Sequence, residues 1–394
     1  MRYPDRAVRL IARLRRRLTG VPAPDAVDLT DPALLHDPFP RYAALREKGP
    51  VHFLPRQKLW LVLGYDEVAS AFKDPEHFSS VHQPVRFDPI LNEADPPAHT
   101  AVRRSTAPFF SASAMAGLEE RARGFAAALV DELLERGEVE LVRDFAAPLV
   151  ERMAGGLLGL DASACEALRA RLGRYGAAEQ EEQFRELDAW AREQAAAPPA
   201  GSVAAGLHDA AFPLEAAAGL LKLFWVAGTT TTGRLVSSCA LYLLRDPSLR
   251  AELSADPSLI AAMVDEVARL EPPEVLVWRV ARPGATLAGT PIPAGAEVRL
   301  CVGAANRDPR RFPDPDRVSL RRAPNPHLTF GAGPHFCPGA RLARLQVRAA
   351  VEAILTRAPH FRATRPLSAV TYAPSPNYRG LNELHVSLRA PAGA

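Results

Sequence analysis

The sequence predicts a mainly α fold with a minor β region, and three observations carry that expectation. Helical periodicity dominates from about residue 100 to 195. After Pro213 an apolar run continues to about Leu244 and stops before Asp246-Pro247, as a long buried helix would. Strand-like strings are short and few.

The elements follow in order along the chain. Asp37-Pro38-Phe39-Pro40 opens a short helix over 37–47, because proline is tolerated in a first helical turn. Val51-His52-Phe53-Leu54 and Trp60-Leu61-Val62-Leu63 read as the two strands of a hairpin. Asp66-Glu67-Val68-Ala69 starts a helix with acids in its first turn. Residues 79–95 lack periodicity and read as an irregular, function-bearing loop. Within 100–195 the glycines Gly155-Gly156 and Gly159 are expected to interrupt the helices. A helix is expected over 257–271, short strands around 286–302, and a proline-studded meander through 308–326.

The 394 residues carry 37 prolines spread along the chain, with no repeat and no linker. With 47% hydrophobic residues a single large domain over 31–394 is expected, preceded by a basic N-terminal extension over 1–30. The run Arg6 to Leu18 is basic and amphipathic but lacks the apolar core of a signal peptide, so it reads as a solvated helix. A net charge of +3 is too small to argue for nucleic acid. No stretch is apolar enough to span a membrane. Cys165, Cys239, Cys301 and Cys337 are far apart, without zinc spacing, which suits a reducing, cytoplasmic setting.

The most informative block is Phe330-Gly331-Ala332-Gly333-Pro334-His335-Phe336-Cys337-Pro338-Gly339. A cysteine leaves a glycine-rich loop and enters a helix-forming run, Ala340-Arg341-Leu342-Ala343-Arg344-Leu345. Backbone N–H groups and the dipole at a helix N-terminus favour a thiolate there. A lone cysteine is more often a small buried hydrophobe, but the glycines allow close backbone approach to a flat ring. The loop resembles the haem-ligand loop of the cytochrome P-450 family, with Phe330, Gly333, His335, Cys337 and Gly339 on its motif positions.

Other blocks extend the resemblance over about residues 31 to 390. Glu266 and Arg269 lie three residues apart on one helical face, and the family pairs them with an arginine of the meander, here Arg317. The family's haem-propionate positions match His99, Arg103, Arg279 and His335, and His99 and Arg103 are i, i+4 on a helix. In the long helix, Ala227-Gly228-Thr229-Thr230-Thr231-Thr232 resembles the family's distal oxygen-handling segment. The resemblance puts the small Ala227 and Gly228 beside the iron and gives Thr231 the handling of protons. The threonine run also has a plain explanation, since hydroxyls can bond back to the preceding turn. A local widening of the helix would serve both.

Two positions depart from the family pattern. Thr230 stands where an acid usually completes the proton relay, and a hydroxyl cannot replace a carboxylate as a shuttle. Three explanations stay open: direct access of water, an acid from another segment, or a cycle other than ordinary oxygen activation. Pro338 follows the ligand position, fits a first helical turn, and offers no N–H to the sulfur.

The resemblance implies a triangular helical prism holding haem b between the long distal helix and the Cys-loop helix, with the Cys337 thiolate on iron. It implies a monomeric monooxygenase acting on a small organic substrate in natural-product tailoring. Electrons would come from a ferredoxin and ferredoxin reductase, because the chain has no flavin or iron–sulfur module. Arg103, Arg104, Arg341, Arg344 and Arg348 form the expected landing patch. A shortened segment over 161–213 is expected to roof an open pocket that admits an extended or carrier-bound substrate. Residues 80–92, Leu223 to Thr231, Val275 to Val277 and the turn at Asn377 are expected to line it. Thr230 keeps a peroxide-dependent or radical-coupling oxidase as the alternative, and a non-catalytic haem ligand-binding protein stands as a second.

Overall fold

The structure is a computed structural model that describes residues 27–81, 91–172 and 180–389. The basic run over 6–18, most of the expected pocket loop over 82–90, and Glu179 lie outside the described residues. Val27 and Leu29 are buried in a cluster with Tyr42 and Leu61. The packed chain therefore reaches back at least to Val27, short of the boundary expected at residue 31.

The sheet is built from both ends of the chain. Helix α1 (Phe39–Glu47) leads into the hairpin β1 (Val51–Leu54) and β2 (Leu59–Val62), followed by α2 (Tyr65–Lys73) and β3 (Phe78–Ser79). Two later strands, β4 (Leu276–Ala281) and β5 (Glu297–Cys301), complete a five-stranded sheet in the order β1-β2-β5-β4-β3. Only the β2–β5 pair is parallel. Sequence reading expected β5 and overlooked β4, whose string Leu276-Val277-Trp278-Arg279-Val280 carries a charge into a buried strand.

The helices follow as α3 (Ala98–Thr106), α4 (Leu118–Leu134), α5 (Ala147–Leu158), α6 (Ala162–Leu172), α7 (Gln180–Ala196) and α8 (Val203–Asp209). The long α9 (Leu214–Arg245), α10 (Ile260–Leu270) and α11 (Ala340–Arg357) complete the set that frames the site. Helix α5 runs through Gly155-Gly156 and ends at Gly159, which has φ 87°. Gly155 is not a breaker: a Cβ there would meet Cys165 Sγ at 2.1 Å, so the glycine lets α6 approach α5.

Helix α9 is the axle of the molecule. Its N-terminal half packs Leu221 and Trp225 into a cluster with Leu187 and Trp190 of α7. Its C-terminal half packs Leu235 and Cys239 into a second cluster with Val347 and Val351 of α11. The two clusters part at Ala227–Thr232, and there the helix borders a cavity. The amphipathic α10 buries Met263, Val264 and Val267 beside α11, at the i, i+1, i+4 spacing of one helical face.

Candidate active site

The cavity of about 530 Å³ lies between α9, the Cys337 loop and the β4 wall. Ala227, Gly228 and Thr231 line it from α9, and Cys337, Pro338 and Gly339 from the loop. Leu276, Val277 and Arg279 of β4 close one side, while Leu91, Phe110 and Leu157 contribute to the apolar walls.

The loop is held from both ends. Gly331 and Gly333 have φ of 70° and 68°. A Cβ at Gly333 would sit 2.6 Å from the carbonyl oxygen of Phe72, so this glycine docks the loop onto the end of α2. Upstream, Thr329 donates to the Ala268 carbonyl (2.6 Å), and the Leu328 N–H donates to Asn306 Oδ1 (2.7 Å). Arg344 lies over the Phe330 ring at 4.3 Å while its Nε donates to Asp265 (2.7 Å). Cys337 donates its N–H to the Phe330 carbonyl (2.9 Å). Helix α11 begins at Ala340 with Gly339 as its N-cap, so Pro338 lies in the turn before the helix.

Burial pushes the Cys337 thiol up, against the Gly339 N–H and the Arg103 charge, which pull it down. The N–H at the helix start does favour the thiolate, but burial outweighs it. A metal cation at the sulfur would supply the missing stabilisation.

Four basic groups gather beside the loop. His99 and Arg103 project from the same face of α3, and the His99 and His335 rings lie 4.2 Å apart. Arg103 donates to the Phe336 carbonyl (2.8 Å), and Arg279 donates to the carbonyl of Trp278 (2.6 Å). Neither arginine has an acid within ion-pair distance among the described residues. Burial and the neighbouring charges of Arg279, His99 and Arg103 push the His335 imidazole down to about 3. Burial likewise lowers His99, whose Nδ1 is buried without a partner.

On α9 the three hydroxyls of Thr229, Thr230 and Thr231 donate back to the carbonyls of Trp225, Val226 and Ala227, each at 2.8 Å. The helix continues unbroken, so the expected widening is not formed.

Known proteins resemble this chain over most of its length. A family model described as cytochrome P450 matches residues 208–363. Cytochrome P450 monooxygenase PikC of Streptomyces venezuelae is 32% identical over 380 residues, covering 90% of this chain and 91% of PikC. The chain belongs to the cytochrome P450 family. It is an oxidoreductase of the monooxygenase type, and membership implies a haem–thiolate cofactor. The crystal structure of myxobacterial P450 CYP267B1, solved with myristic acid, superposes with a TM-score of 0.84 at 30% identity. That match covers 92% of this chain and 99% of the other. HmtN, a post-tailoring hydroxylase of himastatin biosynthesis, superposes at 0.82 with 28% identity, covering 90% and 98%. The helical prism expected from the Cys loop is thus the fold of this P450.

The brace of this P450 differs from expectation in its third member. Glu266 accepts from Arg269 Nε (2.7 Å) and Nη2 (3.0 Å), from Arg322 Nε (3.0 Å), from Asn325 (3.1 Å) and from the Ser319 N–H (2.8 Å). Arg317 gives only its backbone carbonyl, which accepts from Arg269 at 3.0 Å, and the residue is exposed. The meander turns so that the side chain of Arg322 points inward. Motif order alone does not separate Arg317 from Arg321 and Arg322.

Other expectations are corrected in the same way. Thr230 is not among the residues that line the cavity. No described residue of the segment 161–213 lines it either; Phe110, Ala154 and Leu157 form that wall. In the expected landing patch, Arg344 is held by Asp265, Arg348 lies 4.0 Å from Glu119, and Arg103 turns toward the loop. Arg104 and Arg341 are exposed and have no ion pair among the described residues. Sequence reading also overlooked two acids of the wall, Glu93 and Glu274, which no motif marks.

Proposed function

We propose that this P450 binds haem b through the Cys337 thiolate and inserts oxygen into a small organic substrate with electrons from ferredoxin. The observation that carries the reading is a single cavity bordered by Cys337, by the Ala227–Thr231 face, and by two arginines with no acid within ion-pair distance among the described residues. Those arginines, with the orphaned Nδ1 of His99 and the imidazole of His335, suit a flat group bearing two carboxylates. Haem fits that donor set, and when bound it supplies oxygen activation, with the thiolate favouring O–O cleavage.

The chain's own residues do the rest. Arg103, Arg279, His99 and His335 hold the two propionates. Ala227 and Gly228 leave room above the ring, since an added Cβ at Gly228 would only touch Ala154, at 3.6 Å. Thr231 Oγ1 donates to Ala227, so its lone pairs are left to accept from a water in the cavity and keep a proton within reach. The apolar walls exclude bulk water. HmtN, a post-tailoring hydroxylase of himastatin biosynthesis, supports a natural-product substrate.

Turnover under two electron supplies tests the reading. Ferredoxin with NAD(P)H is expected to outperform peroxide in the wild type, and Thr230→Glu to raise product formed per NAD(P)H by restoring an acid. Brisk peroxide turnover with no gain from Thr230→Glu would favour the peroxide-dependent reading.

Docking of the acidic ferredoxin is assigned to Arg104 and Arg341, both exposed. Arg341→Glu is expected to slow ferredoxin-driven reduction about tenfold at low salt, with less effect at high salt. Peroxide-driven turnover should not change. Stopped-flow reduction against ionic strength measures both.

A further inference from the structure

Among the described residues five acids are buried: Glu93, Glu140, Glu266, Glu271 and Asp308. Four of them are saturated. Glu140 accepts from the N–H groups of Val142, Arg143 and Leu384. Glu266 sits in its brace, Glu271 pairs with Arg379, and Asp308 accepts from Arg310 and the Tyr65 N–H. Glu93 is the exception. It is 5% exposed, its Oε2 is buried without a partner, and among the described residues no hydrogen bond or ion pair reaches it.

This carboxylate lines the cavity of the active site. A single 3₁₀ turn, Leu91–Glu93, carries it there, just ahead of Asp95. Asp95 is by contrast well satisfied, by Ser79, the Ser80 N–H and Arg282. A second carboxylate of the same wall, Glu274, has no side-chain hydrogen bond or ion pair among the described residues, but the charges of Arg279, Arg234 and Arg299 act on it. Burying an ionised carboxylate without a counter-charge is strongly unfavourable. A protein keeps such a group when something else neutralises it.

The basic groups of the cavity are already committed. Arg103 and Arg279 answer the propionates, and Arg299 pairs with Glu297 (2.6 Å). The same cavity is lined by Leu91, Phe110, Leu157 and Phe224, which pack together as one apolar wall beside the turn that carries Glu93. We propose that the substrate of this P450 carries a basic amine, protonated at neutral pH, which Glu93 holds as an ion pair while its apolar remainder packs on that wall. The proposal rests on the reading of the cavity as the substrate pocket.

Three probes with one alkyl chain test it on the holoenzyme: dodecyltrimethylammonium, dodecan-1-ol and dodecanoate. The ammonium has no lone pair with which to ligate iron, so its binding reports the pocket wall. Calorimetry is expected to give the cation an affinity about tenfold or more above that of the alcohol, with dodecanoate weakest. Glu93→Gln should erase the preference and leave the affinity for dodecan-1-ol within about twofold. The ligand-free variant should also melt at a higher temperature than the wild type, because an uncompensated charge has gone. No cation preference in the wild type, a preference that survives Glu93→Gln, or a lowered melting temperature overturns the proposal. If none of the probes binds the wild type, the pocket reading itself fails and the proposal falls with it. Binding of dodecan-1-ol without discrimination sinks the amine proposal alone.

Discussion

Cys337→Ser is expected to abolish the red-shifted ferrous–carbon monoxide band and to reduce oxygen-dependent turnover by more than about 100-fold. That floor is what loss of a partner one step removed from a metal typically costs, and Cys337 is assigned the ligand position itself. A serine hydroxyl has a far higher pKa than a thiol and is a poor electron donor to iron, so the push toward O–O cleavage is lost. The other three cysteines are the controls. Cys165, Cys239 and Cys301 are buried in the protein, and burial pushes the Cys301 thiol up to about 12. Replacing any of them with alanine should preserve the band. A band that persists in Cys337→Ser would remove the basis of the proposed site.

The second large effect is expected at the brace. Glu266→Gln should destabilise the protein by about 3–5 kcal/mol, because it leaves the fully buried Arg269 guanidinium without its counter-charge. That is a large share of the roughly 5–15 kcal/mol by which a folded protein exceeds its unfolded state. The damage should also reach the Cys loop, since Thr329 bonds to Ala268 on the same helix as Glu266. Denaturant melts and haem retention measure both consequences. Arg322→Ala should cost about 1.5–3 kcal/mol, the worth of a hydrogen bond to a charged group. The exposed Arg317→Ala should stay within about 0.5 kcal/mol. Equal costs for the two arginines would overturn the assignment of Arg322.

The brace also sets a pH dependence. Burial raises the Glu266 carboxyl, but the Arg269, Ser319 and Arg322 contacts outweigh it and hold the group below its ordinary value. A depressed carboxyl contributes stability that is complete above its unfolded pKa and lost as pH falls through its folded pKa. The Glu266→Gln deficit should accordingly be full at neutral pH and shrink on acidification below about 4.5.

The sequence alone determined the parts whose signal is local. The length and apolar run of α9, the helical stretch over 100–195 and the Cys loop are all legible because period, capping and motif spacing act within a few turns. The same holds for the His99–Arg103 pair, which helical geometry puts on one face. Tertiary structure decided what depends on the path of irregular chain. The meander between α10 and α11 has no repeating geometry, so only its fold turns Arg322 inward and leaves Arg317 exposed. Gly155 reads as a helix breaker until α6 is seen pressing Cys165 against it. The thiol of Cys337 belongs to both accounts. Its place before a helix was written in the sequence, but its burial, which outweighs the Gly339 N–H and the Arg103 charge, arises only when α3, α9 and the loop close around one cavity. Glu93 is the extreme case. A glutamate on a one-turn segment is usually solvated, and only the surrounding walls remove its water and leave its charge unanswered.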